Sequence, residues 1–256
     1  MRSFLRLADA QPALPRLGGM ARPNGVVIVS ERFWAFAGTK GELIEGRMPT
    51  VPEPLRRIPL LRGIARLGLS LSPLMRREGA TRRFERIGLL LALALPFGLV
   101  FLSERVALYA GIALTVALLS LLFRGRTLVL HGAEHRAISA AEHRSMEATW
   151  AGETRPPRFS LRCGTNFAAL AAPVTFLADR LWPLPVALWT PVVVSVLSLA
   201  LTMELWHLVQ ASKHRAARVL LAPGLALQRV TTREPGLDET RVALRAVASI
   251  LRRELA

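Results

Sequence analysis

The most chemically suggestive pattern in this sequence is a glutamate and two histidines, His131-x-x-Glu134-His135. Two histidines one helical turn apart can bind a single metal ion, and the glutamate next to them can act as a base. Zinc bound by neutral imidazoles lowers the pKa of water to about 7, so that a carboxylate can take its proton. The pattern therefore suggests His131 and His135 as ligands of a divalent metal such as zinc, with Glu134 as a catalytic base.

Two further carboxylates are candidates to complete the ligand set. Glu142 follows His135 by seven residues and can share its helical face. Glu204 lies at the end of a long apolar run, where an ionisable side chain is costly and usually has a partner or a function. A polar helix with solvated or paired charges explains the histidine pattern without a metal, and on the residues alone it is slightly the better explanation. An ion pair likewise explains Glu204, and the partners that the sequence offers are Arg126, Arg162 and Lys213.

The single cysteine, Cys163, is a second candidate catalytic residue. One thiol excludes an internal disulfide, and a lone cysteine is more often a small buried residue than a nucleophile or a ligand. The neighbouring Arg162 could lower the pKa of the thiol and make a reactive thiolate available. Arg162 is therefore included in the candidate site as a supporting residue.

Long apolar runs are the elements that must position these residues. Uncharged stretches cover residues 87–102 and 106–123, and two further apolar stretches cover 167–178 and 184–209, the last of which contains Glu204. Such runs are typical of membrane-spanning helices. The sequence predicts a mainly α, polytopic α-helical membrane protein with about four spanning helices in two hairpins.

The distribution of charge predicts an orientation for this membrane protein. The chain has 34 Lys and Arg against 18 Asp and Glu, for a net charge of +16. The turn of each predicted hairpin contains only one of these basic residues. Because positive segments stay on the cytoplasmic side, we expect a multi-pass protein of the inner (plasma) membrane with both termini cytoplasmic. Nearly all the basic residues are arginines, whose planar donor fork suits phosphate and carboxylate. Expected partners are the lipid bilayer and either anionic lipid headgroups or ribosome and RNA; the oligomeric state is not predicted.

These features divide the chain into six segments. The N-terminal cytoplasmic segment contains a predicted small β-hairpin after Gly25 and an apolar–basic helix over 58–75, which is either amphipathic at the headgroup level or simply packed. The C-terminal segment contains an amphipathic helix that Asp238 can cap. The segments are a variable tail (1–17), a basic cytoplasmic segment (18–86), the first transmembrane hairpin (87–123), a cytoplasmic loop with the HxxEH motif (124–164), the second transmembrane hairpin (165–209) and a cytoplasmic C-terminal segment (210–256).

Three sequence words, HGAEHRAISAAEH, RCGTNF and PGLALQRVTTREP, resemble the YqhQ-like family of bacterial membrane proteins. Members of that family have no known function and are described as predicted metal-dependent enzymes. The resemblance extends over about residues 18–251. It implies a membrane location and a functional cluster of His131, Glu134, His135, Glu142, Arg162, Cys163 and Glu204.

The chain departs from the family pattern at three positions. The family tends to have Gln where Met20 stands, Glu where Asn24 stands and His where Ser160 stands. If that histidine is an essential metal ligand, the site in this chain is incomplete.

Three classes of function follow from these observations. The first is a metal-dependent, hydrolytic enzyme with its site at the cytoplasmic face of the membrane. The second is a non-enzymatic membrane scaffold or biogenesis factor whose basic surface binds ribosome, RNA or anionic lipid. A transporter ranks third, because Glu204 is the one evident intramembrane charge in the sequence.

Overall fold

The computed structural model describes residues 1–76, 80–81, 83–122, 126–212 and 214–256. The chain is 62% helical and contains a four-stranded antiparallel sheet. The strands are β1 (Gly18–Arg22), β2 (Gly25–Val29), β3 (Phe33–Gly38) and β4 (Leu43–Arg47). The helices are α1 (Arg2–Asp9), α2 (Glu53–Arg57), α3 (Leu61–Ser70), α4 (Ser72–Met75), α5 (Arg83–Gly98), α6 (Glu104–Leu122), α7 (Arg126–Glu142), α8 (Met146–Ala151), α9 (Gly164–Arg180), α10 (Thr190–Ala211), α11 (Arg215–Val219), α12 (Ala222–Thr231) and α13 (Leu237–Glu254), with a 3₁₀ turn at Leu99–Phe101.

The sheet is larger than the predicted hairpin. Its strands pair in chain order, and the predicted strand region after Gly25 is divided into β2 and β3 by a turn at residues 30–32. The hydroxyl of Ser30 accepts a hydrogen bond from the backbone N–H of Phe33 in this turn, at 2.9 Å. Strand β1 lies before that region and pairs with β2, while β4 contains Leu43 and Ile44, which the sequence placed after a turn at 38–41, and pairs with β3. The N-terminal part of the chain thus forms a sheet that can support a packed core.

The main core lies between this sheet and two helices. Helix α13 packs on β2, β3 and α7, while α7 also packs on β1. Leu244, Val247 and Leu251 of α13 are completely buried. Each such side chain contributes on the order of 2 kcal/mol by leaving water. The predicted cap at Asp238 is wrong by two positions, because the helix begins at Leu237 with Gly236 as its N-cap.

A second group of helices is built around α9. Helix α10 packs on α9 and α3, and α12 packs on α9. The contact between α9 and α12 is close, because a Cβ on Gly224 would lie 2.3 Å from the side-chain oxygen of Asn166. Asn166 and Gln228 are both fully buried there and bond to each other at 3.2 Å. This contact fixes the start of α9 relative to α12.

The predicted arrangement of four spanning helices in two hairpins is wrong. Within the described residues, α10 alone is long and apolar enough to cross a membrane. Helix α5 has 16 residues and is only about 24 Å long at 1.5 Å per residue, against roughly 30 Å of hydrocarbon. The described apolar part of α6 is Arg105–Leu114. A multi-pass location is therefore not supported, and Phe123, the predicted end of the first hairpin, lies outside the described residues.

Helix α9 shows why the apolar runs were misleading. It has 17 residues, ends in Asp179 and Arg180, and packs on other helices of the chain. Its Leu170 is buried in a cluster with Val209 and Leu221. Protein therefore covers part of the apolar surface that the sequence pattern assigned to lipid.

Candidate metal centre

Residues from two separate parts of the chain converge on one side of α7. The HxxEH pattern lies in the middle of this helix, which packs between β1 and α13. Cys163 comes from a different part of the chain, where it is the N-cap residue of α9. One ligand atom from each of His131, His135 and Cys163 lies within 4.8 Å of the other two. The fold therefore groups three side chains of the types that bind transition metals.

Both histidines are oriented by backbone carbonyl groups. Nδ1 of His131 lies 2.8 Å from the carbonyl oxygen of Thr231, and Nδ1 of His135 lies 2.7 Å from that of Arg158. Since a carbonyl can only accept, each Nδ1 carries the proton and each Nε2 presents a lone pair. Metal-binding histidines are held in the same way, with the second ring nitrogen donating to a carbonyl or carboxylate.

The two lone pairs face the same small volume. Nε2 of His131 lies 3.3 Å from Sγ of Cys163, and the imidazole centroids of His131 and His135 are 4.5 Å apart. Nε2 of His135 is buried and has no hydrogen-bond partner within the described residues. A buried polar atom without a partner is costly, and a metal ion would satisfy it.

Burial keeps both imidazoles neutral at pH 7. It lowers the pKa of His131 and lowers that of His135 to about 4, with the neighbouring His131 adding to the effect on His135. Desolvation disfavours the charged imidazolium form. The histidines are therefore in the protonation state that binds a metal.

Burial also raises the pKa of the Cys163 thiol, contrary to the expectation that Arg162 lowers it. Hydrogen bonds from Thr165, including one from its hydroxyl to Sγ at 3.2 Å, oppose the rise without cancelling it. The guanidinium of Arg162 instead forms an ion pair with Glu142. A thiol in this setting becomes a thiolate most readily by binding a metal cation.

Glu134 lines the same cavity of ≈ 360 Å³ as the three potential ligands. Its side chain is 4% exposed, and Oε2 has no hydrogen-bond partner within the described residues. Burial raises the pKa of Glu134 to about 8, although the backbone N–H of Ala21 opposes the shift. Strand β1 approaches this carboxyl so closely that a Cβ on Gly19 would lie 2.7 Å from the Glu134 side chain.

The raised pKa of Glu134 predicts how metal-free protein responds to pH. The folded state holds the proton more tightly than the unfolded state, so stability falls as pH rises from 4.5, the ordinary pKa of a glutamate, to about 8. In chelator-treated protein, we expect Glu134→Gln to leave the melting temperature unchanged at pH 5 and to raise it by several degrees at pH 8.5. Thermal unfolding at the two pH values checks this, with the exposed Glu31→Gln as control. Equal melting curves for Glu134→Gln and the unmutated protein at pH 8.5 would contradict it.

The two further carboxylates are engaged outside the group of three. Glu142 pairs with Arg162 at the edge of the site. Glu204 accepts hydrogen bonds from Nε of Arg62 at 2.9 Å and from the backbone N–H of Leu60 at 3.1 Å. The ion-pair partner of Glu204 is thus Arg62. The partners suggested by the sequence were Arg126, Arg162 and Lys213, of which Lys213 lies outside the described residues.

Sequence reasoning missed the residues that orient the ligands. The carbonyl groups of Thr231 and Arg158 act through the backbone, so their side chains gave no direct signal. Ser160, which stands where the resembling family has histidine, lines the metal cavity, and its N–H donates to Oε1 of Gln228 at 2.8 Å. The signal that could have located Thr231 and Gln228 is the word PGLALQRVTTREP, which contains both.

Comparison with known proteins places the chain in a family without assigning a reaction. A family model described as "Protein of unknown function (DUF1385)" matches residues 99–253, which include every histidine and cysteine of the site. No curated protein and no solved structure matches the chain. The family match is compatible with the resemblance to the YqhQ-like family and does not test that name. Because the match covers more than half of the sequence, the chain belongs to the DUF1385 family of proteins of unknown function.

Proposed function

We propose that this protein is a metal-dependent hydrolase in which His131, His135 and Cys163 hold the metal and Glu134 is the general base. The single observation that carries the proposal is the convergence of three ligand atoms within 4.8 Å of one another. The fixed Nδ1 protons of both histidines support it, because they direct the two Nε2 lone pairs away from the backbone.

Zinc is the metal that this donor set fits best. Two imidazoles and a thiolate form a borderline-soft set, and three protein ligands leave a fourth position for water or substrate, as in catalytic zinc sites. When bound, zinc supplies Lewis acidity toward water and toward a carbonyl or phosphoryl oxygen of the substrate. The unpartnered Nε2 of His135 is the observation in the chain itself that fits such an ion.

Glu134 moves the proton in this proposal. A cation held by the neighbouring ligands would favour the ionised form of this carboxyl, whose unpartnered Oε2 lines the ligand cavity and can then take a proton from attacking water and return it to the leaving group. The N–H of Ala21 holds the carboxyl group in place. Glu134 and His135 are themselves buried, and burial strengthens these electrostatic interactions.

A membrane attachment through α10 is part of the proposal. Only 28% of the apolar 18-residue part of this helix is buried within the chain, whereas the core helix of a soluble protein is mostly buried. The segment before it is also strongly exposed, with Leu181 at 74% and Val186 at 85%. Lipid is the environment that best accommodates such a surface.

The test is elemental analysis of full-length protein purified without a histidine tag. We expect about one zinc per chain in the unmutated protein and a loss of at least tenfold in His135→Ala. His143→Ala is the matched control, since this exposed histidine bonds through Nδ1 to the carbonyl of Ser139 outside the ligand group. Absence of stoichiometric metal from the unmutated protein, also after incubation with zinc, would remove the basis of the proposal.

A cysteine hydrolase is the second candidate function, because Nε2 of His131 lies 3.3 Å from Sγ of Cys163. A thiol–imidazole pair of this kind can act as nucleophile and base without a metal. The raised pKa of the Cys163 thiol favours the metal site instead. Alkylation with iodoacetamide separates the two candidates. Rapid modification of Cys163 that a chelator leaves unchanged supports the pair, whereas modification that needs a chelator supports the metal centre.

A further inference from the structure

A second cavity, of ≈ 380 Å³, adjoins the metal centre, and we call it the basic cavity. It shares Leu17, Gly18 and Arg162 with the wall of the metal-site cavity. Its remaining wall comes from Arg16, from the end of β2 and the turn after it (29–31), from α3 and from the last third of α10. The charged side chains that line it are four arginines and two glutamates: Arg16, Arg62, Arg66, Arg162, Glu31 and Glu204.

The positive charge of this cavity is only partly neutralised. Arg62 is paired with Glu204, and Arg162 is paired with Glu142. Arg16 and Arg66 are exposed and have no carboxylate partner within the described residues. A bound anion would neutralise the charge that remains on Arg16 and Arg66.

The position of the basic cavity indicates what kind of anion it binds. Its wall includes Met203, Trp206 and Gln210, near the C-terminal end of α10. A 22-residue helix is about 33 Å long, which is slightly more than the hydrocarbon core of a bilayer. With α10 crossing a membrane, as proposed above, side chains in its last turns lie at the level of lipid headgroups.

We infer that the basic cavity binds the phosphate group of an anionic molecule, either a lipid headgroup or a soluble phosphate ester. Arginine forks bind phosphate through paired, charge-assisted hydrogen bonds, and the volume accommodates more than a single ion. The shared wall makes the basic cavity a neighbour of the cavity that His131, Glu134 and His135 line. The basic cavity thus holds the substrate of the hydrolase. This role rests on the proposed function, whereas the binding of a phosphate group in the cavity does not.

The experiment is calorimetric titration of full-length protein in a nonionic detergent. The probes are dihexanoyl phosphatidylglycerol, inorganic phosphate and monohexanoyl glycerol, which lacks phosphate. We expect the double substitution Arg16→Gln and Arg66→Gln to weaken binding of the phosphate-bearing probe by about tenfold or more, since charge-assisted bonds are lost. Arg229→Gln, an exposed arginine on α12 outside the cavity wall, is the matched control and should bind as the unmutated protein does. Melting temperatures verify that all variants fold.

The outcomes separate the sources of the phosphate. Binding of phosphatidylglycerol without inorganic phosphate assigns the cavity to a lipid headgroup, and binding of both assigns it to phosphate esters in general. Equal affinity for the probe without phosphate, or affinities indifferent to the double substitution, would overturn the inference. Metal content is measured on the same samples. Stoichiometric zinc without phosphate binding removes this inference alone, and phosphate binding without zinc removes the hydrolase alone.

Discussion

Replacement of Arg136 by methionine is expected to lower the free energy of unfolding by about 2–5 kcal/mol, because buried carbonyl acceptors lose their donor. Arg136 follows His135 on α7, and it is 6% exposed. Its guanidinium donates to the carbonyl oxygens of Pro156 and Pro235, both at 3.1 Å. The pair with Glu234 adds little, since that carboxylate is 59% exposed.

The same substitution should also weaken metal binding. Pro156 and Pro235 lie close in sequence to Arg158 and Thr231, whose carbonyls orient the two histidines. Arg158 further links these segments by donating to the carbonyl of Thr232 at 2.6 Å. Arg136 is therefore a positioning residue for both imidazoles. Loss of such an outer contact typically lowers metal affinity by about 10–100-fold.

Two measurements separate the structural effect of Arg136→Met from the positioning effect. Urea unfolding of chelated protein reports the stability change, and zinc titration at a temperature where every variant is folded reports affinity. Arg126→Met, an exposed arginine at the start of the same helix, should change neither. A variant that loses stability but binds zinc with unchanged affinity would show that Arg136 holds the fold and not the ligands.

The helical part of the metal centre could be predicted from sequence because its geometry is local. Two histidines four residues apart must lie on one face of any helix that contains them. The third group, Cys163, is separated from His131 by 32 positions, and only tertiary structure brings its Sγ within 3.3 Å of Nε2 of His131. The carbonyls that fix the tautomers are common to every residue type, so no sequence pattern marks them.

The membrane prediction failed for a different physical reason. Hydropathy records how apolar a segment is, but not whether lipid or protein covers it. Leu170 of α9 is covered by the chain itself, whereas the exposed residues before α10 are not. The sheet was underestimated because β1, with the sequence GGMAR, has little intrinsic strand propensity and depends on pairing with β2.

Gly132→Ala is expected to disturb this centre more than its small size suggests. A Cβ at position 132 would lie 2.1 Å from the carbonyl oxygen of Arg233 and 3.2 Å from Cδ of Pro235. The contacted oxygen belongs to backbone that cannot move freely, because the N–H of Arg233 donates to the carbonyl of Leu128 at 2.9 Å. Helix α7 must therefore separate from residues 231–235, which carry the carbonyl that orients His131.

We expect Gly132→Ala to cost about 1–3 kcal/mol or more of unfolding free energy, as overpacked cores do, and to lower zinc affinity as well. Gly68→Ala in α3 is the matched control, since a Cβ there meets nothing within 4 Å. That control should stabilise the protein by up to about 1 kcal/mol, because alanine is the better helix former. Urea unfolding of both variants measures the change in unfolding free energy, and zinc titration measures the change in zinc affinity. If Gly132→Ala instead matches the control, α7 is not held against residues 231–235, and the carbonyl of Thr231 cannot be what fixes the proton on His131.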